Sequence, residues 1–213
     1  MLTLYGDAMS RAHRVMWMLR ELGQDFAHIP TDFLRGGNKT PAFLAVNANG
    51  KVPVLVHDDV TMCESFAINL YLARVFASPL SARSIAEEAG ILQWSFWAVN
   101  EVEKTLLITA KNAALFAPEH RRENEVQMGL AKLDRPFRVL DAHLAGRDYL
   151  LNSGLSYADF RMAAYLPFND VAGLPLQDYP AVATWYARLD ALPCWADPFA
   201  GLDAPKLPPV PGR

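Results

Sequence analysis

Cysteine is scarce in this chain: Cys63 and Cys194 are the only two among its 213 residues. They cannot form a disulfide framework, and the sequence has no CxxC pair of the kind that binds zinc or exchanges disulfides. No apolar run is long enough to cross a bilayer, and the first residues show no basic segment followed by an apolar one. We therefore expect a cytoplasmic protein that holds no metal and does not insert into a membrane.

The chain also lacks a large excess of charge of either sign. The chain has 20 Lys and Arg residues against 23 Asp and Glu residues, and the net charge is −3. Nucleic-acid-binding proteins carry a basic patch, so no nucleic-acid partner is expected. Apolar residues make up 52% of the chain, which is ample for the core of one large domain or of two smaller ones.

The first part of the chain mixes short strands with helices. Apolar alternation predicts strands, and three-to-four spacing predicts helices, one of them closed by Gly23. The predicted strands are residues 2–5, 26–29, 53–57 and 60–63, and the predicted helices are residues 10–22 and 64–76. This order indicates a small α/β sandwich with a mixed sheet.

Pro53 stands at the start of one predicted strand. A proline cannot donate to a β-ladder, so it is tolerated at a first residue, an edge or a bulge. One interpretation is that Pro53 simply begins the strand. The other is that the backbone around Val52 and Pro53 faces something other than its own sheet.

The composition of residues 77–84 predicts a linker, because Pro79 stands there among small polar residues. After this linker the apolar residues have helical spacing, which predicts two long helices. Pro136 lies inside the second of them and is expected to kink or interrupt it. One predicted apolar stripe is Ile85, Ala89, Leu92, Phe96 and Val99, and the next is Val126, Leu130, Leu133, Phe137, Leu140 and Leu144. We expect the rings of Trp94, Phe96 and Trp97 to lie mostly in the core.

The segment LSYADF at residues 155–160 has the start signal of a helix. Ser156 fits the N-cap position and Asp159 fits the capping-box position three residues later, with Leu155 and Phe160 at the two staple positions. This pattern supports folding and carries no chemistry. The tail after residue 204 is rich in proline, which favours an extended or disordered chain.

Three segments together resemble the cytosolic glutathione transferases. They are LYGDAMSRAHRV near the start, NANGKVPVL followed by a hairpin and Glu64-Ser65, and LSYADF in the helical half. The resemblance extends from Leu2 to about Leu192, and its serine-type pattern is similar to that of theta-like bacterial members. It implies an α/β N-terminal thioredoxin-like domain plus an all-α C-terminal helical domain.

The resemblance also implies domain boundaries and an assembly. Residues 1–77 would form the glutathione-binding domain, residues 85–200 the helical domain that contributes the electrophile site, and residues 201–213 a proline-rich tail. The family usually forms a homodimer in which the first domain of one subunit contacts the helical domain of the other.

Six residues are implied to bind glutathione. The proline at the position of Pro53 follows a cis peptide bond in this family, and the backbone of Val52 would pair with the cysteinyl unit as an added strand. Glu64 and Ser65 would hold the γ-glutamyl end, although both are also common in a first helical turn. Lys51 and Asn38 would contact the glycyl part or be ordinary loop residues; Asn38 departs from the histidine often found there.

The resemblance further implies a hydroxyl that stabilises the glutathione thiolate. Ser10 is the candidate, and it also suits the N-cap of the first helix. Tyr5 is the rival, because other classes of the family use an early tyrosine, and a chain without a catalytic hydroxyl is the third alternative. Cys63, beside the site, is either a small buried hydrophobe or a thiol that forms a mixed disulfide.

The implied function is a glutathione transferase. Glutathione is the co-substrate, and its thiolate would attack a small apolar electrophile or, as a side activity, reduce an organic hydroperoxide. Asn100 and Lys104, after the linker, are the candidates for the electrophile site. The alternative is a non-catalytic member that keeps the fold as a ligand-binding or protein-interaction module.

Overall fold

The computed structural model describes residues 1–7, 10–164 and 166–196. The proline-rich tail predicted at residues 201–213 and the last residues of the predicted helical domain lie outside them, as does the side chain of Cys194, which the sequence suggests is structural. The chain divides into two compact units between Ser78 and Pro79, and the described residues from Leu192 onward belong with the first unit.

The first unit is built on a four-stranded mixed sheet of order β2-β1-β3-β4. Strand β1 (Leu2–Tyr5) is parallel to β2 (Ala27–Ile29) and antiparallel to β3 (Val54–His57). Strand β3 forms a hairpin with β4 (Val60–Cys63). All four predicted strands are confirmed to within one residue.

Two helices of the first unit are confirmed as well. Helix α1 (Ala12–Glu21) and helix α3 (Ser65–Val75) contribute buried apolar residues to the core together with β1 and β3. The Asn69 side-chain amide donates to the carbonyl oxygen of Arg14 at 3.0 Å, so a buried polar bond also joins the two helices.

The sequence analysis missed a helix between β2 and β3. A 3₁₀ turn (Gly37–Lys39) precedes α2 (Pro41–Val46), in which only Phe43 is buried. Six residues are too few to show a helical period. The missed signal was local: the Thr40 hydroxyl accepts from the Phe43 N–H, and Pro41 occupies the first turn, where it costs nothing.

The second unit is helical. Helix α4 (Ile85–Trp97) continues through a π-helical segment (Ala98–Glu103) into α5 (Lys104–Ala110) and a second π segment (Lys111–Leu115). The rest comprises a 3₁₀ turn (Pro118–His120), α6 (Glu123–Leu144), α7 (Tyr157–Ala163), α8 (Pro167–Ala172), a 3₁₀ turn (Leu176–Asp178) and α9 (Pro180–Asp190). A short helix, α10 (Pro193–Ala196), belongs to the first unit. Within the described ranges, no helix is both long and apolar enough to span a membrane.

The two predicted stripes of this unit have different outcomes. The α6 stripe is confirmed, since five of its six members are buried and Leu130 is half-buried, but Pro136 does not interrupt the helix. The α4 stripe is wrong as a core face, because Ile85 is 87% exposed and Phe96 is 57% exposed. The buried side of α4 and its continuation is instead formed by Ile91, Trp94, Ala98 and Val102. Of the predicted core rings, Trp94 is therefore confirmed, Phe96 is wrong and Trp97 is half-buried.

The capping box at the start of α7 is confirmed. The Asp159 carboxylate accepts from the backbone and hydroxyl of Ser156, and it also accepts from the Leu150 N–H at 2.8 Å and the Trp185 indole at 2.9 Å. Burial raises the pKa of Asp159, and these hydrogen bonds oppose the rise. Asp159 thus joins the start of α7 to α9.

Candidate functional site

A cleft of about 250 Å³ opens on the first unit where β3 begins and β4 ends. Strand register brings these ends together, because Val54 is opposite both Tyr5 of β1 and Cys63 of β4. The cleft is lined by Arg11, Asn47, Asn49, Lys51, Val52, Pro53, Cys63, Glu64 and Ser65. Five of the six predicted glutathione-binding residues thus meet here, and Asn38 is the exception.

Val52 and Pro53 form one wall of the cleft. Their peptide bond is cis, as the resemblance implied. Strand β3 begins only at Val54, so both residues precede the ladder. Among the residues that the structure describes, none hydrogen-bonds to the backbone of Val52. The amide and carbonyl of Val52 are therefore not used by the sheet beside them.

The loop before this wall is held by its own asparagines. The Asn47 side chain donates to the Lys51 carbonyl at 2.8 Å and accepts from the Asn49 N–H at 3.1 Å. Gly50 has φ of 57°, a left-handed conformation that glycine adopts at little cost. This bonding fixes the backbone from which the exposed Lys51 side chain extends along the cleft.

Asn38 does not line the cleft. Its side-chain amide donates to the Gly50 carbonyl at 2.7 Å, and the Lys39 ammonium donates to the same oxygen at 2.9 Å. Asn38 therefore supports the loop that carries Lys51.

Glu64 and Ser65 stand where β4 turns into α3. Glu64 has φ of 70°, which is uncommon for a residue with a side chain and is tolerated mainly at constrained, often functional, positions. No side chain of the described residues caps the N-terminus of α3, and the first N–H groups of this helix carry partial positive charge. Ser65 is only 4% exposed, yet its hydroxyl has no bonding partner among the described residues. This end of the cleft suits a carboxylate.

Ser10 lies two residues before α1, and the N-cap residue is Arg11, one position after the predicted one. Its hydroxyl donates to the Asp7 carbonyl at 2.7 Å and accepts from the Ala12 N–H at 3.0 Å. A Cβ atom at Gly6 would lie 3.4 Å from the Ser10 hydroxyl oxygen and 3.3 Å from the Val52 Cβ. Ser10 and Val52 therefore flank the same glycine, and the hydroxyl lies near the cleft wall without lining it.

Tyr5 has different surroundings. Its ring packs edge-on against Phe43 of α2, with the ring centroids 6.1 Å apart. Tyr5 belongs to β1 and does not line the cleft.

Three lining residues were not assigned to the site by the sequence analysis, Arg11, Asn47 and Asn49, whereas Cys63 was expected beside it. The asparagines lie in the quoted NANG segment, and Arg11 directly follows Ser10, so adjacency was the available signal. Cys63 is half-buried instead of fully buried. Charge at the cleft is mixed, with Arg11 and Lys51 against Glu64.

The candidate electrophile residues belong to the second unit. Asn100 lies in the first π segment and Lys104 at the start of α5, and both are exposed. They are on one side of the continuous helix, four residues apart.

Comparison with known proteins gives concordant matches. Residues 1–74 match the family described as "Glutathione S-transferase, N-terminal domain", and residues 118–188 match "Glutathione S-transferase, C-terminal domain". The chain is 31% identical to Glutathione S-transferase 3 of Zea mays over 97% of each chain.

Two solved structures are similar over nearly the whole chain. Glutathione transferase F7 from Populus trichocarpa matches with a TM-score of 0.84 and 26% identity, covering 95% of this chain and 100% of that one. A glutathione S-transferase-I bound with the ligand lactoylglutathione matches with a TM-score of 0.83 and 27% identity, covering 93% of this chain and 98% of that one.

Proposed function

The chain belongs to the glutathione S-transferase family, and we propose that it binds glutathione in the cleft, activates its thiol as a thiolate and joins the glutathionyl group through its sulfur to an apolar electrophile. The observation that carries this proposal is the convergence of Val52, Glu64 and Ser65 on one cleft. Together they offer an unused backbone edge, a carboxylate and an uncapped helix start. A similar protein bound with lactoylglutathione supports the choice of ligand.

The γ-glutamyl end of glutathione carries an ammonium and a carboxylate. The Glu64 carboxylate accepts hydrogen bonds from the ammonium, and the Ser65 hydroxyl and the first N–H groups of α3 donate to the carboxylate. The absence of a side-chain cap on α3 and the unpartnered Ser65 hydroxyl support this assignment. Charge-assisted bonds of this kind contribute about 1.5–3 kcal/mol each.

The remainder of the tripeptide runs along the cleft wall. The cysteinyl unit pairs with the Val52 amide and carbonyl as an added strand, and Pro53 begins β3 without competing for those groups. The glycyl carboxylate is bound by Lys51, with Arg11 adding positive charge to the cleft. Asn38 acts indirectly, by holding the Gly50 carbonyl beneath this loop.

Ser10 is the proposed activating group. Its hydroxyl turns from the Asp7 carbonyl and donates to the glutathione sulfur, while still accepting from the Ala12 N–H. A free thiol has a pKa near 8.5, so lowering it by about two units makes the thiolate the major species at neutral pH. The start of α1 adds its partial positive charge to the same effect. The packing of Tyr5 against Phe43 favours Ser10 over its rival.

The second substrate completes the reaction. The thiolate forms a bond to the electrophilic atom, and the leaving group departs with the electron pair. In the side reaction the thiolate attacks one oxygen of an organic hydroperoxide, the O–O bond breaks, and the alcohol leaves after taking up a proton. The sulfenic acid of glutathione that forms then reacts with a second glutathione to give glutathione disulfide and water. Asn100 and Lys104 are proposed to contact the electrophile. Residues 1–77 serve as the glutathione-binding domain, and residues 85–191 of the predicted 85–200 serve as the electrophile-binding one, because the described residues from Leu192 onward belong with the first unit. A cytoplasmic role in detoxification is part of the same proposal.

A homodimer is also proposed. Ile85, Phe96 and Val99 form an exposed apolar row along α4 and its continuation, with exposed fractions of 87%, 57% and 39%. Exposed apolar side chains along one side of a helix support a protein–protein interface, and two-fold pairs are the commonest homo-oligomers.

An ultraviolet titration of the bound thiolate tests the function. When the chain is saturated with glutathione, the pKa of the bound thiol is expected to lie about two units below that of the free thiol. A generic aryl halide is expected to be conjugated at neutral pH. A bound thiol that titrates like free glutathione, with no conjugation, would refute thiolate activation.

A further inference from the structure

Cys63 lies in the wall of the cleft and has no part in the proposed reaction. It ends β4 opposite Val54, immediately before Glu64 and Ser65. It is the free cysteine of the described residues, and its side chain is partly exposed. A cysteine that served only as a small hydrophobe would be expected inside the core.

The surroundings of Cys63 point to a ligand. Ser65 also lines the cleft and is only 4% exposed, and its hydroxyl has no hydrogen-bond partner among the described residues. Arg11 and Lys51 add positive charge to the same cleft. Arg11 and Lys51 outnumber Glu64, the acidic residue of the lining, so the cleft favours an anionic peptide, and under the proposed function that peptide is glutathione. The thiol therefore adjoins the site at which glutathione and its disulfide would be concentrated.

We propose that Cys63 is a redox-modification site, at which glutathione disulfide bound in the cleft forms a mixed disulfide that blocks the cleft. The proposal rests on the proposed function for the identity of the ligand. The cleft measures about 250 Å³, so a glutathionyl group attached to its wall would exclude a second glutathione. The chain would lose its activity when glutathione disulfide accumulates and regain it on reduction.

The exchange is balanced without any further reactant. Cys63 first loses its proton to water, because the thiolate is the nucleophile. Its sulfur then attacks one sulfur of glutathione disulfide, so that a new S–S bond forms and the original S–S bond breaks. The second glutathione leaves as a thiolate and takes up a proton from water. Cys63 is oxidised and one glutathione is reduced; free thiol reverses both changes.

The test uses the full chain and two matched variants, Cys63→Ser and Cys194→Ser. Each is incubated with glutathione disulfide, freed of excess reagent and measured by intact mass without reductant. We expect the parent and Cys194→Ser to gain the mass of one glutathionyl group, lose glutathione binding and recover it with dithiothreitol. Cys63→Ser should gain no such mass. An unmodified parent, or adduct that persists in Cys63→Ser, would overturn the proposal.

A second measurement shows whether binding in the cleft speeds the reaction of Cys63 beyond that of an ordinary exposed thiol. 2-Hydroxyethyl disulfide lacks the carboxylates that the cleft would bind. We expect Cys63 to react with glutathione disulfide at least about tenfold faster at low salt, the lower end of electrostatic steering, and saturating S-methylglutathione should abolish the difference. Equal rates would overturn the proposal. If reduced parent binds glutathione by calorimetry yet resists modification, only this inference fails; if it does not bind glutathione, the proposed function fails first.

Discussion

The Nε2 atom of His28 lies 2.6 Å from the carbonyl oxygen of Gly6. Because a carbonyl only accepts, Nε2 carries the proton in this bond. The contact joins β2 to the chain that leaves β1 toward Ser10. Gly6 in turn packs against Ala12, where a Cβ would come within 2.7 Å of the Ala12 Cβ. The contacts of Gly6 with His28 and with Ala12 thus hold the segment that leads to Ser10.

His28→Phe should remove the donor and leave the Gly6 carbonyl without this partner. The free energy of unfolding should fall by about 1–3 kcal/mol. Turnover should fall more than glutathione affinity, because the bond supports the segment that leads to Ser10. His28→Gln, which keeps an amide N–H donor, should retain most of both properties. Urea unfolding with steady-state kinetics measures them, and identical behaviour of Phe and Gln variants would disprove the role.

Ser10→Ala should raise the pKa of the bound glutathione thiol by one to two units, because a donor to sulfur is lost at a cost of about 1.5–3 kcal/mol. Turnover near neutral pH should fall about tenfold or more and recover partly at higher pH. Loss of the bond from the Ala12 N–H should also lower stability by about 1 kcal/mol, so folding is checked separately. Tyr5→Phe is the matched variant. If it shifted the titration and Ser10→Ala did not, the role would pass to Tyr5.

Phe96→Lys should place a charge in the exposed row of α4 and dissociate the proposed dimer. Light scattering at micromolar concentration should then give a mass near the 23.7 kDa monomer, whereas the parent should give twice that mass. Met128→Lys, at a half-exposed position on α6 outside that row, serves as the control and should leave the dimer intact. A parent that is already monomeric would contradict the proposed assembly.

The raised pKa of Tyr179 should make the free energy of unfolding depend on pH in the alkaline range. Burial, and then the hydrogen bond to Asp134 at 2.9 Å, raise the pKa of Tyr179 to about 12. An unfolded tyrosine titrates near 10, so the folded chain retains a proton that the unfolded chain has lost. Stability should therefore fall by roughly 1–2 kcal/mol as the pH rises from about 10 to about 12.

Tyr179→Phe should lack that part of the fall, while Tyr149→Phe should keep it. Urea unfolding over this pH range measures the effect. A Tyr179→Phe profile parallel to that of the parent would show that the hydroxyl does not couple folding to pH.

Local patterns were enough to predict the sheet and the two longest helices of the first unit. Strands alternate and α1 spans several turns, so their periods are visible in the residues themselves. Helix α4 was misjudged because it carries apolar residues on both sides, and the sequence does not say that Ile91 and Trp94 face the core while Phe96 faces solvent. Its period was real, but its buried side depends on tertiary packing.

The candidate site could be predicted only in part. Val52, Pro53 and Glu64-Ser65 form short contiguous motifs, and adjacency brings them to one cleft. Asn38 bonds a carbonyl twelve residues away, which no local pattern reveals. The exposure of Cys63 likewise depends on how β4 meets α3, where Glu64 adopts its left-handed conformation.

Glutathione affinity is the most direct test of the central claim, that this cleft binds glutathione through Glu64 and Ser65. Calorimetry should show binding to the parent, and Glu64→Ala should weaken it by about 1.5–3 kcal/mol, or about ten- to hundredfold. Alanine keeps the same left-handed backbone cost, so folding should be little changed. Asp25→Ala, at an exposed carboxylate of the same unit that does not line the cleft, should bind as the parent does. A parent that binds no glutathione, or equal affinity in Glu64→Ala and the parent, would contradict the claim.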